Sequence, residues 1–285
     1  MARRARVDAE LVRRGLARSR EHAVELINAG RVLINGSVAT KPATGVEAGT
    51  PLLVRDEPDE VQWASRGAHK LLGALEAFGS QGVTVEGKRC LDAGASTGGF
   101  TDVLLSRGAK EVVAADVGYG QLIWRLQNDD RVRVHDRTNV RALTPELIGG
   151  TVELVVADLS FIGLGLVLPA LAACCEPEAD LLPMVKPQFE VGKERLGSGG
   201  VVRDPALRAE AVREVAAAAA RQGLRTLGVV ASPLPGPSGN VEYFLWLRKV
   251  ADPATGESVT GYAYDASEQE RVTALIERAV EEGPQ

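Results

Sequence analysis

The sequence is poor in cysteine and in aromatic residues, and its start lacks an apolar segment. Aromatic residues make up 4% of its 285 residues, and its three cysteines are Cys90, Cys174 and Cys175. Three thiols at this spacing match neither an even disulfide framework nor a metal site, so we expect no bound metal and a reducing, cytoplasmic compartment. The first residues, Met1-Ala2-Arg3-Arg4, lack the apolar core of a signal peptide, and we expect no secretion signal.

Charge is missing from one stretch, residues 159–175. A run of roughly 17 uncharged residues is at the lower limit of a membrane span. The stretch contains Gly163, Gly165 and Pro169, and it follows a strand-like run where a crossover helix is due. We therefore predict a buried helix on a sheet face and no membrane contact; a membrane-active protein is the alternative.

Positive charge is concentrated at the N-terminal end. Residues 1–41 hold nine Lys/Arg and four Asp/Glu, a net charge of +5, whereas the whole chain carries −5. The remaining residues therefore carry −10. A basic segment on an acidic body indicates an arm that binds a polyanion, although a solvated pair of charged helices has the same composition.

Residues 1–55 are predicted to form a small α+β domain. The pattern predicts a helix over residues 7–15 with Asp8 as its N-cap, and a second helix over residues 20–29 capped by Ser19. Asn35-Gly36 between apolar runs predicts a β-hairpin with a type I′ turn.

Two segments of this domain carry a resemblance. They are Leu16-Ala17-Arg18-Ser19-Arg20 and Gly30-Arg31-Val32-Leu33-Ile34-Asn35-Gly36. Over residues 5–55 the chain resembles the RNA-binding domain of the ribosomal-protein-S-four type, which implies binding to structured RNA through arginines. The arginines that we expect at the RNA are Arg4, Arg6, Arg14, Arg18, Arg20 and, beyond this domain, Arg66.

Residues 56–64 are predicted to be a linker, because residues 56–60 are acidic and contain a proline. Trp63 at its end either packs against a domain or stacks on RNA. A helix should follow from residue 65 to about residue 78, with Lys70 in its early part, where a lysine opposes the helix dipole. Such a placement fits a function better than simple solvation.

Strand-like and helix-like runs alternate after residue 88. Strands are predicted over residues 88–93, 111–116, 131–135, 152–157, 181–185, 227–231 and 241–247. Helices are predicted over residues 98–107, 120–127, 159–175 and 205–223, with another begun by Thr144-Pro145. This alternation predicts an α/β fold with a doubly wound, mainly parallel sheet, in which Pro183 should mark a bulge or a strand end.

The last two strands are joined differently. The link over residues 232–240 is too short for a crossover helix, so the final strand must run antiparallel. A parallel sheet that ends in an antiparallel hairpin is the arrangement of class I, Rossmann-like methyltransferases. We assign residues 65–250 to this domain and residues 251–285 to an extension with a surface helix over residues 268–282.

A glycine-rich turn follows the first strand of this domain. Its pattern is D-x-G-x-x-x-G-G, from Asp92 to Gly99, and it leads into a helix N-terminus that can hold a ligand rich in acceptors. A second acid, Asp116, ends the next apolar run and suits a ribose diol. The spacing differs from the G-x-G-x-x-G of dinucleotide sites, and S-adenosylmethionine fits it better than NAD.

Four charged residues are placed by this topology near the carboxyl ends of the strands, where open α/β sheets bind ligands. They are Lys70, Asp158, Lys186 and Glu242. Two lysines and two acids suit methyl transfer to a hydroxyl, because a ribose 2′-OH is a poor nucleophile that must lose its proton. A lysine can accept that proton if a nearby cation and partial burial favour its neutral form, and positioning of the hydroxyl can contribute as much.

Six segments together resemble the TlyA family of ribosomal RNA 2′-O-methyltransferases, historically labelled haemolysins, with an FtsJ-like catalytic domain. The segments are residues 65–71, 91–101, 114–122, 158–162, 185–190 and 238–242. The resemblance implies a catalytic tetrad of Lys70, Asp158, Lys186 and Glu242, S-adenosylmethionine as donor and cytidine 2′-hydroxyls of 23S and also 16S ribosomal RNA as acceptors. It implies that the cofactor is bound by Asp92, Gly94, Ser96, Gly98, Asp116, Asp136 and Asn139.

Two other functions remain open from the sequence: a membrane-active haemolysin, and a non-catalytic RNA-binding factor that senses S-adenosylmethionine. The glycine-rich segment 191–200 either orders on RNA or is a mobile connection. We expect a monomer that works on ribosomal subunits without a stable protein partner.

Overall fold

The computed structural model describes residues 4–55, 62–252, 254–259 and 261–284, and it divides the chain into two compact units, residues 1–62 and 63–285. Residues 56–61 of the predicted linker lie outside the described residues. At the start of the second unit, Trp63 is half-buried against the core of that unit, and the N–H of Ala64 donates to the carboxylate of Asp102 at 2.8 Å. Of the two alternatives for Trp63, the structure favours packing.

The N-terminal unit consists of two helices against short strands. The elements are β1 (Ala5–Arg6), α1 (Val7–Arg13), α2 (Arg20–Asn28), β2 (Val32–Ile34), β3 (Ser37–Val38), β4 (Gly45–Val46) and β5 (Leu52–Val54). Strands β3, β2 and β5 form one antiparallel sheet, and β1 pairs with β4. The core holds Leu11, Ala23 and Ile27 from the helices and Val32 from the sheet.

Two capping predictions for this unit had different outcomes. Ser19 caps α2 and accepts the N–H of His22 at 3.2 Å, as predicted. The prediction for α1 is wrong: its N-cap is Arg6, and Asp8 lies within the first turn. Asp8 is buried there and forms ion pairs with Arg6 and Arg20, which use its carboxylate in place of capping.

The second unit contains a seven-stranded sheet. Its strands are β6 (Arg89–Ala93), β7 (Glu111–Ala115), β8 (Val132–His135), β9 (Val152–Ala157), β10 (Cys175–Val185), β11 (Leu224–Ala231) and β12 (Tyr243–Lys249). The order across the sheet is β11-β12-β10-β9-β6-β7-β8. Strands β6 to β10 are parallel, and β12 runs antiparallel to both of its neighbours, which confirms the predicted methyltransferase-type sheet.

The proline of the fifth strand does not cause a bulge. Pro183 pairs with Ala157 within a continuous register, and the irregularity of β10 lies earlier, between Cys175 and Asp180. The strand ends two residues after Pro183, at Val185. The prediction of a bulge at Pro183 is therefore wrong.

Helices cover both faces of the sheet. They are α3 (Gly67–Gly79), α4 (Gly99–Ser106), α5 (Trp124–Gln127), α6 (Pro145–Ile148), α7 (Leu168–Ala173), α8 (Pro187–Glu190), α9 (Pro205–Ala220) and α10 (Ala266–Glu282). Helices α3, α4 and α5 share one apolar core, and α6, α7, α9 and α10 share the core on the other face. Helix α5 is shorter than the predicted residues 120–127.

The uncharged stretch 159–175 forms a six-residue helix, not one long helix. A 3₁₀ turn at Leu164–Leu166 precedes α7, and buried Leu168 and Leu171 pack into the core of the sheet. Gly163 and Gly165 keep the α-helix from starting before α7, because glycine is a poor helix former. Within the described residues, no helix has the length and apolar character to cross a bilayer.

The C-terminal helix is more than a surface element. One face of α10 places Val272, Ile276, Ala279 and Val280 in the same core as β11 and α9. Arg271 donates to the carbonyl of Thr226 on β11 at 2.6 Å. Helix α10 therefore completes one face of the sheet, although the sequence predicted only a surface helix there.

Candidate active site

The turn between β6 and α4 brings backbone close to neighbouring strand ends. Gly94 has a φ of +88°, and a Cβ there would lie 2.6 Å from the carbonyl oxygen of Asp158. Gly98 has a φ of +102°, and a Cβ there would overlap the side chains of Leu126 and Leu122. Larger residues are excluded at both positions, and the turn is held against β9 on one side and α5 on the other.

Asp92, at the start of this turn, is a fully buried acid. Its Oδ2 accepts the hydroxyl of Thr101 at 2.7 Å, whereas its Oδ1 has no hydrogen-bond partner among the described residues. Burial raises the pKa of Asp92 to about 7. An unpaired carboxylate oxygen beside a glycine turn fits a ligand that brings its own positive charge, such as the ammonium group of an amino acid.

Asp116, at the end of β7, connects two turns. Its Oδ2 accepts the N–H of Ser96 at 2.9 Å, and its Oδ1 accepts the N–H of Gly118 at 2.7 Å. Each oxygen keeps a second lone pair, which a ribose diol can use. The chain thus offers neighbouring groups for the ribose and for the amino-acid part of S-adenosylmethionine.

Two further predicted cofactor residues stabilise loops beyond Asp116. The carboxylate of Asp136 accepts the N–H of Gly120 at 2.9 Å. The Oδ1 of Asn139 accepts the N–H of Arg141 at 3.0 Å and caps a short 3₁₀ turn. Both shape the side of the sheet at which β7 and β8 end.

The four charged residues form two lysine–carboxylate pairs. The Nζ of Lys70 on α3 lies 2.6 Å from Oε2 of Glu242, which is fully buried. The Nζ of Lys186 lies 2.6 Å from Oδ1 of Asp158 and donates to Oγ of Ser160 at 3.0 Å. Both lysines are buried, so each depends on its carboxylate for charge compensation.

Strand register brings the two pairs to the same edge of the sheet. Val185 of β10 pairs with Tyr243 of β12, so Lys186, the next residue, and Glu242, the preceding one, stand opposite each other. Pro183 of β10 pairs with Ala157 of β9, and Asp158 follows Ala157 directly. Because β12 is antiparallel, its first residues pair with the last residues of β10 and lie at the same end of the sheet as the last residues of β9.

Several residues of this edge were not singled out from the sequence. Ser160 contacts Lys186, and Phe161 beside it has a φ of +65° and is 89% exposed. Gly236 lies against Glu242, because a Cβ there would be 2.5 Å from Oε1 of that residue. Ser160 and Phe161 belong to a segment that was quoted for its family resemblance, whereas spacing alone gives no signal for Gly236.

The predicted RNA-binding arginines differ in how much of the guanidinium group the protein uses. Arg6 and Arg20 both pair with Asp8, at 2.9 and 3.0 Å, and more than half of each side chain is exposed. The hydrogen bond from Arg6 is the largest cause that lowers the pKa of Asp8 to about 2. These two arginines combine a fixed position with an open face.

The remaining predicted arginines are placed less uniformly. Arg14 pairs with Glu10 at 2.7 Å and donates to the carbonyls of Thr50 and Ala48, so it mainly joins α1 to the β4–β5 connection. Arg4 is largely exposed, with Glu47 at 3.7 Å. Arg18 lies in the turn between α1 and α2, and Arg66 lies at the N-terminus of α3.

Comparison with known proteins agrees with this geometry. Residues 63–249 match the family of FtsJ-like methyltransferases, and residues 5–52 match the S4 domain. The 16S/23S rRNA (cytidine-2′-O)-methyltransferase TlyA of Mycobacterium tuberculosis is 62% identical over 284 residues, 100% of both chains. The 23S rRNA (cytidine-2′-O)-methyltransferase TlyA of Campylobacter jejuni is 33% identical over 81% of this chain and 94% of its own.

A solved structure extends the likeness to three dimensions. A protein of Streptococcus thermophilus described as a hemolysin is 36% identical, with a TM-score of 0.70 over 99% of this chain and 98% of its own. The predicted resemblance is therefore confirmed over the whole chain. The chain belongs to the TlyA family, as an FtsJ-like methyltransferase that carries an S4 domain at its N-terminal end.

Proposed function

We propose that this protein transfers a methyl group from S-adenosylmethionine to the 2′-hydroxyl of cytidine in ribosomal RNA, in 23S and also in 16S RNA. The observation that carries the proposal is the pair of lysine–carboxylate contacts at the edge of the sheet to which β6 also brings its glycine turn. The choice of nucleotide and RNA follows the M. tuberculosis relative, which matches along its full length. Ribosomal subunits as substrates imply a cytoplasmic enzyme.

The cofactor would be held by residues from three strand ends. Asp92, Gly94, Ser96 and Gly98 would bind its methionine part, Asp116 its ribose, and Asp136 with Asn139 would border its adenine. When bound, S-adenosylmethionine supplies an electrophilic methyl group on a cationic sulfur. The ionised form of Asp92 would pair with the ammonium of the ligand through its Oδ1, the oxygen that has no hydrogen-bond partner among the described residues.

The two lysines would act on the 2′-hydroxyl, which must lose its proton when it is methylated. Lys186 is the better candidate to face the hydroxyl, because its partner Asp158 is 24% exposed whereas the partner of Lys70 is fully buried. Asp158 and Ser160 orient the Nζ of Lys186, and its remaining position can meet the 2′-oxygen. The Lys70–Glu242 pair would lie at the same edge and help to hold the hydroxyl in line with the methyl group, which can contribute as much as removal of the proton.

RNA would be bound through the N-terminal unit and the start of α3. Arg6 and Arg20 offer exposed guanidinium groups in fixed positions, and Arg4, Arg18 and Arg66 would add phosphate contacts. Contacts of this kind set the position of the RNA more than they select its sequence. Arg14 would contribute indirectly, by fixing the strands that follow α1.

Labelled cofactor tests the reaction directly. Purified protein is incubated with tritium-labelled S-adenosylmethionine and separated ribosomal subunits, and the label is mapped by nuclease protection. Label at cytidine 2′-oxygens is expected on both subunits. If neither subunit is labelled while calorimetry confirms cofactor binding, the proposal is contradicted and a non-catalytic RNA-binding role is favoured.

Lys186→Ala tests the assigned mechanism. We expect it to lower methyl transfer by at least about 100-fold, because it removes the group that accepts the proton. Cofactor affinity should stay within twofold by calorimetry, since β10 is separated from β6 by β9. The control is Lys110→Ala, an exposed lysine outside the site, which should transfer at the wild-type rate; equal rates for the two variants would contradict the mechanism.

A further inference from the structure

The segment between α8 and α9 is fastened to the strand that begins beside Glu242. The chain runs from Lys186 through α8 and then through this segment, which includes Val202, to the start of α9. We call the end of the sheet that carries Lys186, Asp158 and Glu242 the catalytic edge. There the N–H of Val202 donates to Oδ1 of Asn240 at 2.9 Å, and Nδ2 of Asn240 donates to the carbonyl of Gly200 at 3.0 Å. Asn240 is 2% exposed and uses both ends of its amide on this one segment.

Asn240 also belongs to a loop, residues 232–242, that is closed by backbone hydrogen bonds and packs against the carboxylate of Glu242. The N–H of Ser232 donates to the carbonyl of Glu242 at 2.8 Å, and the N–H of Gly236 donates to the carbonyl of Asn240 at 2.9 Å. Inside this loop, Gly236 packs so closely on Glu242 that a Cβ would lie 2.5 Å from Oε1. The position of the carboxylate is therefore fixed by the shape of the loop.

The same loop is fitted to the helix that carries Lys70. Gly73, one turn after Lys70 on α3, faces Pro233, and a Cβ at Gly73 would lie 2.7 Å from Cγ of Pro233. The loop thus contacts α3 by packing at Pro233, while Glu242 contacts α3 by its ion pair with Lys70. A shift of the loop would move both contacts.

We infer that Asn240 is a positioning residue for methyl transfer: by fastening residues 200–202 to the loop that ends at Glu242, it fixes the Lys70–Glu242 pair opposite Lys186. The inference rests on the proposed function. Asn240 does not touch a reacting group and acts only through Glu242. Its two side-chain hydrogen bonds join residues 200–202, on the segment that comes after Lys186 and α8, to the loop that precedes Glu242. The chain on either side of the two lysine–carboxylate pairs is therefore connected.

The inference separates catalysis from cofactor binding. Strand β12 is three strands from β6, a distance of roughly 14 Å at the usual strand spacing. Loss of the Asn240 bonds should therefore change the rate of transfer and leave the cofactor site intact. A displacement of about 1 Å in a catalytic group can lower a rate by about 100-fold.

Asn240→Ala is the test, with methylation of ribosomal subunits as the readout. We expect kcat to fall at least about tenfold, while KM for the RNA and calorimetric affinity for S-adenosylmethionine stay within twofold. The matched control is Asn128→Ala, which removes an exposed asparagine whose amide, within the described part of the chain, donates to the carbonyl of Trp124. If kcat of Asn240→Ala equals that of the control, the inference is wrong.

A double-mutant cycle with Glu242→Gln tests the route. If Asn240 acts through Glu242, its substitution should have little further effect in the Glu242→Gln background under single-turnover conditions. An equal fall in both backgrounds would contradict the inference. Should Asn240→Ala lack a cooperative thermal transition, Asn240→Asp replaces it, because aspartate keeps the size and the acceptor for Val202.

The wild-type assay distinguishes failure of the proposed function from failure of the role assigned to Asn240. Wild-type protein that transfers no methyl group contradicts the proposed function, and the inference falls with it. Active wild-type protein with an unaffected Asn240→Ala variant contradicts the inference alone.

Discussion

If Asp92 binds the ammonium group of the cofactor, as proposed, it couples protonation of the protein to cofactor binding. Its carboxyl group is fully buried, with a pKa of about 7, and one oxygen has no partner among the described residues. A ligand ammonium would stabilise the ionised form, so binding below pH 7 requires loss of a proton. A residue that weakens the free protein is thus well suited to the ligand-bound one.

We therefore expect affinity for S-adenosylmethionine to rise with pH up to about 7 and then to level off. Calorimetry between pH 5.5 and pH 8 measures this directly. Asp92→Asn, which cannot ionise, should bind more weakly and without this dependence on pH. A wild-type affinity that stays constant over the range would show that Asp92 does not meet the ammonium.

The same residue gives a second signature, in stability. Because its pKa is raised from 3.8, the native state holds more protons than the unfolded state between about pH 4 and pH 7. The contribution of Asp92 to the free energy of unfolding therefore decreases as pH rises through that window and is constant above it. Urea unfolding of wild type and Asp92→Asn at pH 5 and pH 8 should show a difference in this direction of up to a few kcal/mol.

The helix α10 shows how an element near the C-terminus supports a distant site. Its apolar face packs on β11 and α9, and β11 pairs with β12, the strand that begins beside Glu242. Gly283, just after the helix, lies so close to Ala231 that a Cβ would be 2.9 Å from its side chain. The helix thus closes the end of the sheet next to the catalytic edge.

Ile276→Ala tests this role of α10. The side chain is fully buried, so we expect a loss of about 2–5 kcal/mol in the free energy of unfolding, measured in urea. The control, Leu147→Ala on α6, removes a side chain that is 48% exposed and should change stability by less than about 0.5 kcal/mol. If Ile276→Ala lowers the free energy of unfolding no more than the expected small loss of the control, the packing of α10 does not support the fold.

Elements fixed by local signals were predicted well from the sequence, and those fixed by distant contacts were not. Ser19 caps α2 through a contact across three residues, whereas the carboxylate of Asp8 pairs with Arg6 and with Arg20, the second of which lies twelve residues later. The absence of charge in residues 159–175 correctly predicted a helix with buried residues on the sheet, but neither the length of α7 nor the exposure of Phe161 and Leu166. Burial leaves its mark on composition, while breaks at single glycines leave little.

The candidate site divides in the same way. The glycine turn and the strand-end acids follow from spacing. Lys70 and Glu242 are 172 residues apart, and the predicted topology brings them to the same edge of the sheet without indicating that they form a pair. The supporting contacts of Gly236 and Asn240 arise from loop packing. Neither composition nor periodicity carries information about such packing.

The whole molecule combines a basic N-terminal segment with an acidic remainder. The net charges of +5 and −10 mean that a polyanion is attracted to one part of the chain and repelled by the other. In the proposed function, Arg6 and Arg20, which pair with Asp8, would then hold the RNA at the basic segment. The charge distribution would direct the substrate before any specific contact forms.

Arg6→Ala should weaken binding to ribosomal subunits and reduce the salt dependence of that binding. Removal of one phosphate contact is expected to lower the slope of log affinity against log salt by about 1. Filter binding over a series of salt concentrations measures both quantities, with Arg131→Ala, which pairs with Asp129 in the second unit, as the control. Identical slopes for the two variants would argue against Arg6 as a phosphate contact.

The pairing of Val185 with Tyr243 sets the register of β12 and therefore the face of the sheet to which the Glu242 side chain points. Successive residues of a strand point to opposite faces, so a slip of β12 by one position would turn the Glu242 side chain away from Lys70 and present Val241 or Tyr243 instead. Insertions of a single residue at the start of β12 should therefore abolish activity even where the sheet still forms. An insertion or deletion in the loop before β12 should therefore preserve activity only where the loop absorbs it without displacing Pro233, Gly236 and Asn240, which are held by their contacts.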